Sequence, residues 1–280
     1  MTQSSQAPTA PQPEAGGALS AVYGPVRSWR LGQSLGIDLL LSDSICSFRC
    51  IYCQLGKIHR PTRQRAIFVP TDKVLADLAA SAWDQADVIT FSGNGEPTLA
   101  LNLGECLEEV SRRTAKPTIV LTNATLLGDP AVRGDLARAD RVFVKLDAAS
   151  DRGLAIVDHP VEDPSDTRSP IAGIVDGILA FRRDYRGYMA IQTMVMPANL
   201  TELDGLCELY ARIGPDEIQL NTPLRPVPRA WYRESRGNHG GPAPVPESHL
   251  AVLTREQARA VEKTVRERTG IKVVSVYQPE

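Results

Sequence analysis

Three cysteines lie within eight residues of this 280-residue chain, at positions Cys46, Cys50 and Cys53. Soft thiolates bind iron–sulfur clusters or zinc. A structural zinc site needs four protein ligands, and the nearest fourth candidate is His59. Three thiolates alone would leave one iron of a cubane cluster open to a substrate or a cofactor. The spacing therefore favours an iron–sulfur cluster, with a zinc knuckle completed by His59 as the alternative.

A glycine-rich turn follows a predicted strand over residues 87–92 and reads Gly93-Asn94-Gly95-Glu96-Pro97. Glycines allow the backbone to approach a ligand closely. The Glu96 carboxylate could pair with an ammonium group. Taken alone, this pattern is typical of an ordinary turn. Its position after the three cysteines makes it a candidate binding site.

Further polar side chains follow later predicted strands. Asn123 comes directly after the third strand, and Lys145 and Asp147 lie at the end of the fourth. Side chains alternate along a strand, so both share a face with Phe143. A lysine and an aspartate that face a protein interior must be paired or functional, because unpaired burial is costly. We therefore take Lys145 and Asp147 as candidate catalytic residues.

The cysteine spacing, with Tyr52 just before the last cysteine, resembles the radical S-adenosylmethionine (SAM) superfamily over about residues 23–223. This resemblance implies a 4Fe–4S cluster on the three cysteines, whose open iron is chelated by SAM. It also implies reductive cleavage of SAM to a radical that abstracts a hydrogen atom from substrate. Tyr52 would lie near the adenine, Gly93–Pro97 would hold the methionyl group, and Asn123 would be a further SAM contact. Asn94 stands where the family usually has the first glycine of a GGE segment.

A narrower resemblance covers the run 24–56 and the segments SGNGEPTL, VKLDA and QLNTPLRP. It is to a bacterial subgroup labelled by similarity to the wyosine-forming tRNA enzymes. Those enzymes use a second cluster and a lysine Schiff base. Cys106 and Cys207 lie on separate apolar helical stripes and are predicted to be buried, so the sequence predicts one cluster. Lys145 is a candidate imine-forming lysine.

Hydrophobic periodicity predicts six strands that alternate with helices. The strands are predicted at 35–41, 87–92, 118–121, 141–146, 189–195 and 217–220. This order predicts an α/β fold, a partial (β/α)6 barrel of parallel strands with a C-terminal helix and strand extension. An open doubly wound sheet is the alternative. Both architectures bind ligands at the C-terminal ends of the strands, where the unusual residues fall.

The predicted organisation has three parts: a disordered tail over 1–22, a core over 23–223, and a lid loop, helix (247–269) and strand (271–277) over 224–280. The connections 149–170 and 223–246 are long and are predicted to be lids or disordered. Seven arginines follow the first and last barrel strands, with Trp231 and Tyr232 among them. They are Arg60, Arg63, Arg65, Arg225, Arg229, Arg233 and Arg236. Such clusters favour a phosphate-bearing substrate, such as a phosphorylated small molecule, a nucleotide or a tRNA.

Composition limits the class of protein. Apolar residues make up 42% and charged residues 23%, which are globular proportions. A net charge of −2 excludes a wholesale nucleic-acid or membrane-surface binder. With no signal peptide, no apolar run of spanning length and an odd cysteine count, we expect a cytoplasmic protein that contacts no membrane. The expected partners are an unidentified substrate and an electron donor such as a flavodoxin or ferredoxin. A zinc- or cluster-stabilised RNA-binding module is the non-enzymatic alternative.

Overall fold

The computed structural model describes residues 19–162, 167–231 and 245–277. Its strands are β1 (Val22–Ser28), β2 (Gly32–Ile37), β3 (Ile45–Cys46), β4 (Arg60–Pro61), β5 (Val88–Phe91), β6 (Thr118–Thr122), β7 (Arg141–Lys145), β8 (Tyr188–Met194), β9 (Glu217–Asn221), β10 (Val227–Pro228), β11 (Glu247–Ser248) and β12 (Val273–Ser275). Its helices are α1 (Thr71–Ala79), α2 (Leu103–Thr114), α3 (Pro130–Leu136), α4 (Asp151–Val157), α5 (Pro170–Asp184), α6 (Leu203–Ile213) and α7 (Arg255–Thr269).

Eight strands form the central sheet in the order β1-β2-β5-β6-β7-β8-β9-β12. Only β1 and β2 pair antiparallel, and every other neighbouring pair is parallel. The α/β fold with a mostly parallel sheet is therefore confirmed. The six predicted parallel strands correspond to β2 and β5 to β9, and the predicted C-terminal strand is β12 at one edge. The antiparallel strand β1 was not predicted.

The sheet is curled, with its two edge strands β1 and β12 at opposite ends of the strand order. Arg30, in the turn between β1 and β2, donates a hydrogen bond to the Oε1 atom of Gln219 on β9 at 2.6 Å. These residues are 189 positions apart in the chain, and four intervening strands separate β2 from β9 in the sheet. The contact therefore crosses the concave side of the sheet.

Alternation along β7 separates the two sides of the sheet. Val142 and Val144 are fully buried in the main core, while Phe143 and Lys145 lie on the concave side. A second, smaller apolar cluster lies on that concave side, at the N-terminal ends of the strands. Its buried members are Leu31, Val88, Ile119, Phe143 and Ala190. This cluster closes the floor of the concave side and leaves the C-terminal ends of the strands for a ligand.

Several boundaries differ from the predicted ones because of local hydrogen bonds. Strand β2 ends at Ile37, because the next side chain, Asp38, accepts hydrogen bonds from the two backbone amides of Leu40 and Leu41. Helix α7 begins at Arg255, where Thr254 forms a capping box with Gln257. The predicted helix over 126–139 is shorter, because its N-cap is Asp129.

The two predicted lids are partly ordered. The connection 149–170 contains helix α4, which Ser150 caps by accepting a hydrogen bond from the Gly153 amide. Prediction of a loop there was wrong, because the short helix has little hydrophobic periodicity of its own. The connection 223–246 contains β10, which pairs with β11 directly after it.

The described residues include the end of the predicted tail and most of the predicted C-terminal extension. Residues 1–18, most of the predicted disordered tail, lie outside the described residues, and ordered strand begins at Val22. The C-terminal strand β12 pairs with β9, so the extension completes the central sheet. None of the described helices is long and apolar enough to cross a membrane.

Candidate cofactor site

A cavity of about 640 Å³ lies on the concave side of the sheet and opens at the C-terminal ends of the strands. Its volume is in the range that takes a small-molecule ligand. Most of the predicted site residues line it together. They are Cys46, Cys50, Tyr52, Cys53, Gly95, Glu96, Asn123, Lys145 and Asp147. Gly93, Asn94 and Pro97 are absent from its lining, so three residues of the glycine turn support the wall from behind.

The three cysteines lie in the loop that follows β2. The backbone amide of Phe48 donates a hydrogen bond to the Cys46 sulfur at 3.4 Å, and the Cys53 amide donates to the Cys50 carbonyl at 3.0 Å. Burial raises the pKa of all three thiols, that of Cys46 to about 12. The neighbouring sulfurs raise the pKa values of Cys46 and Cys50 further. The loop therefore gathers three thiols that a positively charged centre would stabilise as thiolates.

The donor set fits an iron–sulfur cluster better than a zinc ion. Within the described parts of the chain, no three His, Cys, Asp or Glu side chains are arranged to bind one metal ion. In a cluster each thiolate ligates a different iron, so the sulfurs need not converge on one point. The Nδ1 atom of His59 lies 3.0 Å from Asp43 and its ring packs against Trp231. His59 is not among the residues that line the cavity shared by the three cysteines, so it is not placed to complete a zinc knuckle with them.

The glycine turn is joined to the cysteine loop by backbone hydrogen bonds. The Ile45 amide donates to the Asn94 carbonyl at 2.8 Å, and the Glu96 amide donates to the Ile45 carbonyl at 3.0 Å. Gly95 has φ +149°, and a Cβ atom there would lie 1.7 Å from the Ile45 carbonyl oxygen. Only glycine allows this approach. The side chain of Asn94 is fully buried and donates to Asp38 at 2.8 Å, so it fastens the turn from behind.

Replacing Gly95 with alanine should displace this turn. The added methyl group meets a backbone oxygen in an unfavourable φ region, so we expect a loss of about 2–4 kcal/mol in the free energy of unfolding. Chemical denaturation would measure it. Gly134→Ala is the matched control, because Gly134 is exposed on α3 with no atom within 4 Å of an added Cβ. The control should be unchanged or slightly stabilised; equal stabilities for the two variants would contradict the proposed contact.

Glu96 joins the ends of β5 and β6. Its Oε1 atom accepts hydrogen bonds from the Thr98 hydroxyl at 2.6 Å and from the Thr122 hydroxyl at 2.7 Å. Its Oε2 atom accepts one from the Asn123 amide at 2.7 Å. Burial raises the pKa of Glu96, and these donors oppose the shift. The carboxylate is therefore rigidly placed at the cavity wall, beside the cysteine loop.

Asn123 holds the cysteine loop. Its side-chain amide donates to the Ser47 hydroxyl at 2.9 Å and to the Cys46 sulfur at 3.5 Å. Its Oδ1 atom accepts from the Thr125 hydroxyl at 2.8 Å. Asn123 lines the cavity as predicted, but most of its hydrogen-bonding capacity is used to position Cys46.

Lys145 forms a buried charge network with two aspartates. Its ammonium lies 2.8 Å from Asp147 and forms a second, very close ion pair with Asp158. The hydroxyl of Tyr52 donates to Asp147, and the ammonium lies 5.5 Å from the Tyr52 ring and 4.8 Å from the Phe48 ring. Burial opposes the lysine's charge, but both aspartates outweigh it and raise the pKa of Lys145.

This network ties the cysteine loop to α4 and β7. The Arg49 amide donates to the Asp158 carbonyl at 2.8 Å, and the Ile51 amide donates to the Val157 carbonyl at 2.9 Å. Asp158 was missed from the sequence, because it lies in a segment predicted to be a loop. An imine-forming lysine must lose its proton, and the two carboxylates retain it. The geometry therefore favours a positioning role for Lys145.

Some arginines of the two predicted basic segments already have partners in the protein, and others are exposed. Arg65 donates to the Thr98 and Ala100 carbonyls and pairs with Asp135 at 2.5 Å, and Arg63 donates to the Thr125 carbonyl. Arg60, Arg225 and Arg229 are exposed. The rings of His59 and Trp231 lie 5.1 Å apart, so the two basic segments approach each other as expected. Tyr232, Arg233 and Arg236 lie outside the described residues.

Comparison with known families agrees with the arrangement of cysteine loop, glycine turn and parallel sheet. A family model for the radical SAM superfamily matches residues 43–220. The chain belongs to this superfamily. The match includes the cysteine loop and strands β5 to β9, except for the last residue of β9. A radical SAM domain indicates an enzyme, and it leaves the class of reaction open.

Similar proteins exist at the level of sequence and of fold. The UPF0026 protein slr1464 of Synechocystis sp. is 47% identical over 222 residues, which cover 79% of this chain and 82% of that protein. The SAM-bound structure of SuiB from Streptococcus suis has a TM-score of 0.56 at 12% identity. It matches 83% of this chain, which spans 48% of SuiB's length. Archaeal TYW1 has a TM-score of 0.54 at 11% identity and covers 88% of this chain and 76% of its own. At these identities the structures show a shared fold.

Proposed function

We propose that this protein is a radical SAM enzyme that uses one 4Fe–4S cluster to act on a small anionic or phosphate-bearing substrate. The observation that supports it is the placement of three partly buried thiols and the Gly95–Glu96 wall around one cavity. When bound, the cluster and SAM would supply an electron, reductive cleavage of the sulfonium and hydrogen-atom abstraction from substrate. Cys106 and Cys207 are buried on α2 and α6, which fits a single cluster.

The residues of the chain would act by binding and orientation. Cys46, Cys50 and Cys53 would hold three irons. Glu96 would accept a hydrogen bond from the methionyl ammonium on the remaining lone pair of Oε2. The curled sheet would exclude water from the reacting atoms. Tyr52 would form part of the wall beside the adenine.

Anaerobic reconstitution tests this function. The protein is incubated with iron and sulfide, reduced with dithionite and supplied with SAM. We expect a brown protein with about four irons per chain that releases 5′-deoxyadenosine. A colourless protein with one zinc and no 5′-deoxyadenosine would show that the non-enzymatic, zinc-stabilised module is correct.

Glu96→Gln separates SAM binding from folding. The amide keeps the size of the side chain and one carbonyl acceptor, but removes the charge that would pair with an ammonium group. We expect cluster content to be retained and SAM affinity to fall about ten- to a hundredfold, as measured by anaerobic calorimetry. The matched control is Glu108→Gln, an exposed glutamate on α2. SAM affinity equal to the control's would show that Glu96 does not contact the ammonium group.

The physiological setting follows from the same proposal. A one-electron donor such as a flavodoxin or ferredoxin would reduce the cluster in the cytoplasm. A tRNA is the alternative substrate, and its phosphates would engage the exposed Arg60 and Arg229 beside Trp231. Binding of bulk tRNA should then weaken steeply with salt, because phosphate contacts release counterions.

A further inference from the structure

One arginine lines the cavity, and among the described residues no carboxylate lies within ion-pair distance of it. The turn between β1 and β2 carries Arg30 to the concave side of the sheet, where it lines the same cavity as the three cysteines. Its Nη1 atom donates to Gln219 at 2.6 Å. Its guanidinium carbon lies 5.6 Å from the Phe143 ring and 5.3 Å from the Trp29 ring. The Arg30 guanidinium therefore lies beside two aromatic rings and donates to one neutral acceptor.

The hydrogen-bonding groups of Arg30 are not satisfied within the described chain. Its Nε atom is buried and has no acceptor there, and the side chain makes no ion pair with any described residue. Burial lowers the pKa of Arg30 to about 10, with Glu217 opposing the shift. That glutamate is engaged by Lys272 at 2.7 Å and by Gln219 at 2.9 Å. The side chain as a whole is only partly buried and lines the cavity, so the guanidinium is available to an anion that enters there.

A second unsatisfied donor lines the same cavity. The hydroxyl of Thr222, directly after β9, is buried and has no hydrogen-bond partner among the described residues, and Thr222 lies between this cavity and a smaller one beside Val261 of α7. Arg225 lines the mouth three residues later. The cavity's carboxylates are already committed, since Glu96 accepts four hydrogen bonds and Asp147 pairs with Lys145. The Nε atom of Arg30 and the hydroxyl of Thr222 are therefore two donors, on residues that line this cavity, without an acceptor among the described residues.

We propose that Arg30 and Thr222 bind an anionic group of the substrate, a carboxylate or a phosphate, inside the curled sheet. This inference rests on the proposed function, because it places the substrate beside the cofactor site. Guanidinium groups bind both anions through paired hydrogen bonds. A cavity of about 640 Å³ must also hold SAM, so the part of the substrate inside it is small. The substrate class is a small organic anion.

Anion titration of the cluster-loaded, SAM-bound protein tests the proposal. The probes are succinate, inorganic phosphate and ribose 5-phosphate, measured by anaerobic calorimetry. We expect at least one to bind, and we expect Arg30→Met to weaken that binding about ten- to a hundredfold. Tighter binding of succinate would assign a carboxylate, and tighter binding of the phosphates would assign a phosphate. Arg212→Met, on the exposed face of α6, is the control and should bind like the parent protein.

Thr222→Val keeps the test valid if the arginine variant is poorly folded. The hydroxyl has no partner within the described chain, so its replacement by a methyl group should leave the melting temperature unchanged and still weaken anion binding several-fold. Parent-like binding in both variants would overturn the proposal. Binding of bulk tRNA, but of none of the small anions, would also overturn it. Cluster content and SAM affinity, measured on the same samples, separate failure of this inference from failure of the proposed function.

Discussion

Replacing any one of Cys46, Cys50 or Cys53 with alanine should abolish formation of the 4Fe–4S cluster. Each thiolate would hold a different iron, and His59, the nearest other candidate ligand in the sequence, does not line the cavity that the three cysteines share. Iron and sulfide analysis after anaerobic reconstitution measures the effect. We expect near-complete loss of iron and of 5′-deoxyadenosine formation in each variant.

Matched controls come from the two remaining cysteines. Cys106 and Cys207 are buried on the outer helices α2 and α6, away from the cavity lining. Serine or alanine at these positions should leave the iron content unchanged, with a small loss of stability from the removed packing. Loss of iron in the Cys207 variant would disprove the one-cluster model.

Replacing Lys145 with methionine should destabilise the protein strongly. The substitution leaves Asp147 and Asp158 buried, each about 1% exposed, without their cation. Breaking a buried ion pair in this way costs about 3–5 kcal/mol. The free energy of unfolding, measured by urea denaturation of the metal-free protein, should fall by that amount.

Two further variants are needed to interpret the stability of the Lys145→Met protein. Lys263→Met removes one member of an exposed pair on α7, for which we expect a loss below about 1 kcal/mol. The double variant Lys145→Met, Asp158→Asn removes one uncompensated charge and should recover part of the stability. A Lys145→Met protein as stable as the Lys263→Met protein would refute the network. An imine trapped on Lys145 by borohydride with a carbonyl compound would restore its assignment as a nucleophile.

The sequence alone determined the order of the β/α units, and it predicted the three cysteines that we propose hold the cluster. Both are local properties. Hydrophobic periodicity reports which face of a segment is buried, and the spacing of Cys46, Cys50 and Cys53 places the thiols in one short loop whatever surrounds it. The glycine turn was likewise evident, because glycine is the usual residue where the backbone takes a conformation that few other residues tolerate. Gly95 has such a φ in the structure.

Only the tertiary structure decided what the polar side chains of the cavity do. Asn94 turns away from the cavity because Asp38, 56 residues earlier, lies behind it. Lys145 is neutralised by Asp158, which a helix in a predicted loop brings beneath the cysteines. Arg30 enters the cavity because an antiparallel hairpin folds over the concave side and meets Gln219 on β9. Each of these depends on contacts between distant segments, and local patterns of hydrophobicity do not encode which polar groups will meet.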